Sequence, residues 1–336
     1  MARNQRIFYA CKAVAIAPRG TATLTADHIA KGVQSVGMTS TFTLDQIFEL
    51  GQLEIYENVE EVADIEVTIE KAIDGEKLLY TMASGGLCRT DLVAASKNRC
   101  DVHVGIFDDG LSHATGVPRN VCYNSGMFIS SISYNYSVDG NATESITLVG
   151  NDRFWNDTTA GVIATAPSTI WAADVTAVFD GSDVPASGVT RRKDVDLERS
   201  TLPQEVKNNG GDDPVGLGGN FHVQSVSVSC DFGQEQIQEL GRFGPYTRYA
   251  TFPIEVSSEF EVIATSGDLI SVSGDAENLQ DRSIRIVDNA GTDIDLGNAN
   301  KLTSVSYSGG DTGGGNATVT YSYSNFNVLL VHDSTA

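Results

Sequence analysis

Hydrophobic and polar residues alternate in two early segments of the chain, a pattern typical of β-strands with one buried face. Between residues 36 and 42, Val36, Met38 and Phe42 are separated by small or polar residues. Between residues 65 and 70, isoleucine and valine alternate with glutamate and threonine. We therefore predict antiparallel strands with one face in a core and the other face polar and strongly acidic.

Local signals predict the elements around these strands. The segment Thr43–Gln46 matches a helix-capping pattern, and Gly51 stands where a helix would end, so we predict one helical turn there. A second short helix is predicted at Asp91–Lys97, ahead of a strand at Val102–Ile106. The turn residues Asp139–Asn141 predict a hairpin between two later strands.

The pattern occurs twice. The segment Val33–Tyr56 returns as Val223–Tyr246 with 11 of 24 positions identical, whereas average composition predicts about two identities by chance. Further matches follow downstream in the same order: Ile65–Val67 with Ile254–Val256, Ile106–Asp109 with Ile286–Asn289, Ser131–Tyr134 with Ser304–Tyr307, and Gly140–Thr143 with Gly315–Thr318. The sequence therefore predicts two tandem copies of one domain.

Each copy is long enough to hold its own core, and two copies are too few for a solenoid. We predict an N-terminal arm at 1–29, a first domain at 30–155, an unmatched insertion and linker at 156–219, and a second domain at 220–336. The end of the insertion, 208–219, has the composition of a flexible linker.

Composition narrows the possible functions. The chain has 336 residues and a net charge of −22, which disfavours stable binding of nucleic acid. Its five cysteines form no CxxC pair and no zinc spacing, so buried free thiols are predicted. No apolar run reaches the length of a membrane span. We predict a protein without a membrane segment, made in a cytoplasm.

Motifs of catalysis are missing from the sequence. The five histidines are scattered, and no nucleophile, metalloprotease or phosphate-loop motif occurs. We predict that the chain is not an enzyme and needs no cofactor. The acidic segment Asp288–Asp295 loosely resembles a calcium loop, which leaves a calcium-dependent carbohydrate-binding β protein as an alternative.

Two longer segments carry a resemblance to a known family. Residues 32–75, GVQSVGMTSTFTLDQIFELGQLEIYENVEEVADIEVTIEKAIDG, and residues 129–155, ISSISYNYSVDGNATESITLVGNDRFW, resemble the tail tube (major tail) proteins of long-tailed bacteriophages. The second copy keeps the VQSV, QI, ELG and Tyr positions but has no counterpart of ITLVGNDRFW.

The resemblance implies a mainly β fold of two tandem tail-tube-type β-sandwich or barrel domains, each with one short flanking helix. In that family six domains close a ring, and rings stack into a conduit for the phage genome. A structural virion protein would follow, assembled in the host cytoplasm and located in the phage tail, with other tail proteins as partners and DNA passing through without specific binding. A baseplate hub or another tail component is the alternative.

Two domains per chain imply three chains per ring, a trimer with pseudo-sixfold symmetry. The competing arrangement has six chains, with one domain of each decorating the outside. The acidic strand faces are candidates for the channel lining, with a solvated outer face as the alternative: Glu66, Glu70, Glu255, Glu259 and Glu261.

Contacts within or between rings are predicted at the repeated Glu-Leu-Gly elements and the loops that follow them. These candidate residues are Glu49, Leu50, Gly51 and Tyr56 in the first copy and Glu239, Leu240, Gly241 and Tyr246 in the second. Loops that leave a rigid sheet commonly carry contacts, and a tyrosine supplies large contact area. The alternative is that Tyr56 and Tyr246 are core residues within their own domains and make no contact between chains.

Overall fold

The structure is a computed structural model, and strands dominate it. It describes residues 6–9, 12–21, 24–85, 92–107, 118–157, 188–197, 202–209, 222–265, 267, 270, 279–310 and 315–333. The abundance of strands and the shortness of the helices confirm the prediction of a mainly β fold. Asp91, Asp108, Asp109, Cys11, Cys88 and the linker residues 210–219 lie outside the described residues.

The strands of the first half of the chain are β1 (Lys12–Pro18), β2 (Val33–Thr41), β3 (Leu44–Phe48), β4 (Ile55–Glu60), β5 (Asp64–Ala72), β6 (Cys100–Ile106), β7 (Asn120–Ser137), β8 (Thr143–Gly150) and β9 (Asp152–Asp157). Those of the second half are β10 (Val195–Asp196), β11 (Val223–Asp231), β12 (Gln234–Ile237), β13 (Thr247–Ala250), β14 (Glu255–Ile263), β15 (Arg285–Asp288), β16 (Asp293–Asp295), β17 (Lys301–Ser308), β18 (Thr318–Phe326) and β19 (Leu330–His332). The helices are α1 (Leu79–Ala83), α2 (Leu92–Ala95) and α3 (Gln204–Asn209).

One large antiparallel sheet runs through both halves. Its strand order is β17-β18-β14-β11 from the second half and then β7-β8-β5-β2 from the first half. The two halves therefore present their strands in the same order, with β2 corresponding to β11, β5 to β14, β7 to β17 and β8 to β18. The strands β7 and β11 join the halves, and we call their pairing the internal junction.

The register repeats as well as the order. A shift between Val33 and Ser35 in β2 returns between Val223 and Ser225 in β11, and the shift in β7 returns in β17. A bulge is set by local backbone geometry, so its recurrence at the same positions makes the two halves alike strand by strand.

The registers correct one part of the sequence match. Ile65 pairs with Gly150, and Val256 pairs with Asn325 at the corresponding place, so Ile65 corresponds to Val256 and not to Ile254. Matching Ile65–Val67 to Ile254–Val256 is wrong by two residues. A two-residue shift keeps every side chain on its face, so the alternating pattern alone cannot detect it.

A second layer covers the apolar face of the large sheet. Over the first half it consists of β1, β6, the beginning of β7, and β9, and over the second half of β10, β15, β16 and β19. Side chains of both layers form one core, among them Val104 and Ile146 of the first half and Phe260 and Ile294 of the second. The strand β1 belongs to the predicted N-terminal arm and β10 to the predicted insertion, so both segments complete this layer.

The predicted helical turn at Thr43–Gln46 is wrong. The chain forms a β-hairpin there from β3 and β4, and β12 and β13 form its counterpart in the second half. Every residue from 42 to 61 is exposed, so a helix would have had no core to pack against. Gly51 has a φ of 93° and closes the hairpin turn, since Gln52 N–H donates to the Glu49 carbonyl. The glycine therefore marks a tight turn and not a helix end.

The helices flank the core at other places. In the first half α1 is buried, and α2 occupies part of the helix predicted at Asp91–Lys97. In the second half α3 contacts β14, although its residues belong to the segment predicted as insertion and linker. Among the described residues, α1 and α2 therefore flank the first half, and α3 contacts the second.

A buried carboxylate organises the start of α1. Glu144 accepts hydrogen bonds from the backbone N–H groups of Leu79 (2.6 Å) and Tyr80 (3.0 Å) and from the Tyr134 hydroxyl (3.0 Å). Burial raises the pKa of the Glu144 carboxyl, and these hydrogen bonds oppose the shift. Asp333 of the second half accepts from the Leu78 N–H at 3.2 Å, which adds a second link between the halves.

The described cysteines are buried free thiols, as predicted: Cys100, Cys122 and Cys230. Burial raises the pKa of the Cys230 thiol to about 12, so this group stays protonated and unreactive at neutral pH.

The contact of α3 gives a first testable prediction. Glu205 pairs with the Arg282 guanidinium and accepts from the Tyr323 hydroxyl at 3.3 Å. Burial raises the pKa of Glu205, but the bonds from Arg282 and Tyr323 outweigh it, and the net pKa lies below the ordinary 4.5. We expect Glu205→Gln to lower the free energy of unfolding at neutral pH by about 2 kcal/mol, because hydrogen bonds to a charged group are lost.

Urea denaturation at a series of pH values checks this prediction. A lowered pKa in the folded state stabilises the chain above pH 4.5, and that contribution disappears as the pH falls through the folded pKa. The difference between wild type and variant should therefore shrink in acid. Glu235→Gln, at an exposed glutamate, is the matched control, and a difference that does not change with pH would contradict the assignment.

Candidate assembly surfaces

The internal junction shows how one half of the chain binds another. Here β11 pairs antiparallel with the second part of β7, so that Val228 lies opposite Tyr134 and Cys230 opposite Ile132. These side chains are buried. Beyond the strand, the Phe232 N–H donates to the Ser130 carbonyl at 2.8 Å, and the Phe232 ring is fully buried.

The same two types of strand are left at the ends of the large sheet. The strand β2, which corresponds to β11, has β5 as its only partner among the described strands, and β17, which corresponds to β7, has only β18. Phe42 is 71% exposed whereas its counterpart Phe232 is 0% exposed. Tyr307 is 55% exposed whereas its counterpart Tyr134 is 0% exposed. The two open edges therefore carry, uncovered, the apolar residues that the internal junction buries.

The polar face of the large sheet is acidic and rich in serine and threonine. Its carboxylates lie in register across neighbouring strands: Asp64, Glu66, Glu70, Asp231, Glu255, Glu259 and Glu261. Hydroxyl groups fill the positions between them, as in Ser225, Ser227 and Ser229 of β11. Among the described residues of these eight strands, Lys301 at one corner is the base on this face, and it pairs with Asp281 at 2.8 Å.

The five glutamates predicted as a channel lining all lie on this face. Equivalent hydrogen bonds hold two of them, since Ser35 donates to Glu70 at 3.3 Å and Ser225 donates to Glu261 at 3.2 Å. Ser322 donates to Glu259 at 3.3 Å. The structure thus brings Glu66, Glu70, Glu255, Glu259 and Glu261 together on one continuous surface.

The predicted contact residues lie on two protruding hairpins, the first hairpin (Leu44–Glu60) and the second hairpin (Gln234–Ala250). Glu49, Leu50 and Gly51 form the tip of the first, and Glu239, Leu240 and Gly241 form the tip of the second. Leu50 and Leu240 are fully exposed, and Tyr56 and Tyr246 are exposed beside them. The alternative of internal core tyrosines therefore does not describe these positions.

A charged cluster fixes the second hairpin to the first half of the chain. The Arg248 guanidinium donates to the Asp64 carboxylate at 2.6 Å and to the Asn151 side-chain oxygen at 3.3 Å. The Gln234 side chain donates to the Ile129 carbonyl at 2.7 Å. The Arg248 side chain is only 7% exposed. This hairpin is therefore held in place before any other molecule binds.

The acidic segment Asp288–Asp295 is a hairpin formed by β15 and β16. Asp288 accepts from the Thr292 N–H at 2.8 Å, and Asp293 forms a two-pronged pair with Arg285 at 2.7 Å. These carboxylates thus act as internal hydrogen-bond acceptors. Across the described part of the chain, no group of three or more His, Cys, Asp or Glu side chains is arranged to hold a metal ion. None of the helices described is both long and apolar enough to cross a membrane.

Several residues of these surfaces were not predicted from the sequence. Phe42 and Tyr307 look like ordinary core positions of alternating strands, because only the strand order shows that their strands lie at sheet edges. The Arg248–Asp64–Asn151 cluster joins distant parts of the chain and has no local signal. The serines at every second position of β11 and β17 were visible in the sequence and could have identified the polar face.

Comparison with known proteins gives structural similarities alone. No model of a known protein family matches the chain, and no curated protein matches its sequence. Similar solved structures include the cryo-EM structure of the anti-feeding prophage baseplate, with 12% identity and a TM-score of 0.35 over 46% of this chain and 97% of that chain.

Two further structures have a similar degree of likeness. They are the PVC sheath–tube complex of an extracellular contractile injection system in the extended state (13% identity, TM-score 0.34, 46% of this chain and 95% of that chain) and the cap that terminates the tube of the anti-feeding prophage (14% identity, TM-score 0.34, 47% and 95%).

Proposed function

We propose that this protein is a tail tube protein, a structural component of a phage or phage-like tail whose copies close into rings and stack into a tube. The observation that carries the proposal is the match between the internal junction and the two open edges. The junction joins a β11-type strand to a β7-type strand, and the open edges are one strand of each type, β2 and β17. A contact of this kind between chains is heterologous, and it generates a ring when the rotation closes.

The register of the internal junction supplies the expected contact between chains. In this register Met38 of one chain lies opposite Tyr307 of the next, as Val228 lies opposite Tyr134 within the chain. Phe42 then takes the buried position of Phe232. The contact would bury the apolar residues that are exposed at both edges, and it would give the unpaired backbone groups of both strands their partners.

The polar face would line the channel of such a ring. The apolar face of the large sheet is already covered by the second layer, so the acidic face is the one left open to solvent. The bases described at this face, Lys301 and Arg248, are each paired with a carboxylate. The remaining carboxylates and hydroxyls would repel the phosphate backbone and offer it no binding site. A conduit that releases DNA requires such a surface.

We propose three chains per ring, since each chain supplies two halves to a ring that takes six in the resembling family. The two halves would alternate around the ring, in two similar but chemically different junctions. The tip residues of the two hairpins, Leu50 and Leu240 among them, would contact the next ring. Tandem duplication of one ancestral domain is the simplest origin of the repeated strand order and bulges.

Electron microscopy and mass photometry of the purified full chain test the proposal. We expect rings or tubes, with a detached ring of three 35.8 kDa chains and a mass of about 107 kDa. Rings of about 215 kDa would contain six chains. Such rings would contradict the proposed trimer but remain consistent with a tail tube protein. Monomers at all concentrations, with the chain missing from purified particles, would contradict the proposed function itself.

A further inference from the structure

We infer that the first hairpin docks on the second half of the neighbouring chain, with Asn58 facing the neighbour's Glu255, and that only ring closure fixes this hairpin. The inference rests on the proposed function, and it identifies the surface of the neighbouring chain that the first hairpin contacts in the proposed ring. Its basis is the second hairpin, which already makes the corresponding contact within one chain.

The two hairpins have the same internal register. Gln236 pairs with Arg248 in the second hairpin, and Gln46 pairs with Asn58 in the first, at the same distance from the tip. Asn58 therefore occupies the position of Arg248. The surroundings differ, because Arg248 is buried against Asp64 and Asn151 whereas every residue of the first hairpin is exposed. Within the described residues, no side-chain hydrogen bond ties the first hairpin to the rest of the chain.

The missing surface is present at the other end of the same chain. By the strand registers, Asp64 corresponds to Glu255 and Asn151 to Phe326. Glu255 is exposed, and Phe326 is 55% exposed beside it on the neighbouring strand. A copy placed by the internal junction brings its first hairpin onto these two residues. The occupant is therefore a second copy of this chain.

The chemistry of the two docking sites differs. Within the chain a guanidinium meets a carboxylate and an amide, which gives strong, charge-assisted hydrogen bonds. Between chains an amide, Asn58, would meet a carboxylate and a phenyl ring. The contact within the chain fixes the second hairpin permanently, whereas the contact between chains lacks an ion pair and can be made and released during assembly. The first hairpin of each chain is thus fixed in the position needed for stacking only after a ring has closed.

A charge-reversal series tests the pairing of Asn58 with Glu255. Asn58→Arg recreates the Arg248–Asp64 pair between chains, and we expect it to lower the concentration at which rings dissociate by about tenfold, as measured by mass photometry. Asn58→Glu should raise that concentration by a similar factor through repulsion. Combining Asn58→Glu with Glu255→Arg should restore it to near the wild-type value.

The matched control is Val59→Arg, which adds the same charge to the next residue of β4, on the opposite face of the hairpin. It should leave ring dissociation unchanged. Failure of the double variant to restore ring formation, or an equal effect of Val59→Arg, would overturn the inference. The three substituted positions, Asn58, Val59 and Glu255, are exposed in the single chain, and circular dichroism checks that the variants fold.

Hydrogen exchange gives a second, independent measurement. In the dissociated wild-type chain the amides of the first hairpin should exchange quickly and those of the second hairpin slowly, and in rings both should be protected. Equal protection of the two hairpins in the dissociated chain would overturn the inference. If the wild-type chain forms rings but the substitutions at Asn58 and Glu255 do not affect each other, the inference is wrong and the proposed function is retained. If the wild-type chain forms no rings, the proposed function itself is contradicted.

Discussion

Phe42→Asp should abolish ring formation and leave the single chain folded. Phe42 is 71% exposed, so its loss removes little from the core of the single chain. In the proposed ring it takes the fully buried position of Phe232, where losing the ring and burying a charge together cost at least about 3 kcal/mol per contact. We expect the concentration of half-dissociation to rise by a factor of about 100 or more, as measured by mass photometry.

The corresponding substitution in the second half provides the contrast. Phe232→Asp changes a residue that is buried within the chain, and it should prevent stable folding and not merely assembly. Val189→Asp is the control: Val189 is an exposed apolar residue outside the strands, and the next residue, Thr190, is bonded to Ile73 and Ala142 and to neither edge strand, so this variant should leave rings intact. Rings of normal mass and stability from Phe42→Asp would show that β2 is not a contact edge.

Placing charges at both hairpin tips should separate the two stages of assembly. Leu50→Asp combined with Leu240→Asp should still give rings but no long tubes, because both fully exposed leucines are expected to be buried against the next ring. Burying one leucine stabilises a contact by about 1.5–3 kcal/mol, and every chain supplies two. We expect mean tube length in electron micrographs to fall by about tenfold or more.

Smaller changes at the same hairpins set the scale of this effect. Tyr56→Ala or Tyr246→Ala should shorten tubes while the chain stays folded, because both tyrosines are exposed. The volume-conserving Leu50→Met should have little effect. Tubes of ordinary length from the double aspartate variant, or unfolding of a tyrosine variant, would assign these residues another role.

The sequence predicted the strands best where one face is buried. The alternation in β5 and β14 located both strands and their acidic faces, because a period of two reports burial directly. The turn at Asp139–Asn141 was also found, between β7 and β8. The hairpin that begins at Thr43–Gln46 was missed because exposed strands have no such pattern, and Thr43, Gln46 and Gly51 stand where the capping residues of a helix would stand.

The remaining features depend on pairing between distant strands. No local pattern shows that β7 pairs with β11, so the sequence could not separate edge residues such as Phe42 from buried ones such as Phe232. The same holds for Arg248, which is an ordinary polar residue until the fold brings it to Asp64. The acidic face was identified one strand at a time, and its continuity across both halves follows only from the strand order.

The single large sheet has a consequence for how rings would begin. Each chain already contains one of the two kinds of junction, and that junction forms at the high effective concentration of a tethered pair, independent of how much protein the cell has made. Half of the contacts in a trimeric ring would then need no encounter between molecules. A ring would then form from three chains, whereas a ring of single-domain chains would need six. Ring formation should therefore depend less steeply on protein concentration than it would for separate domains.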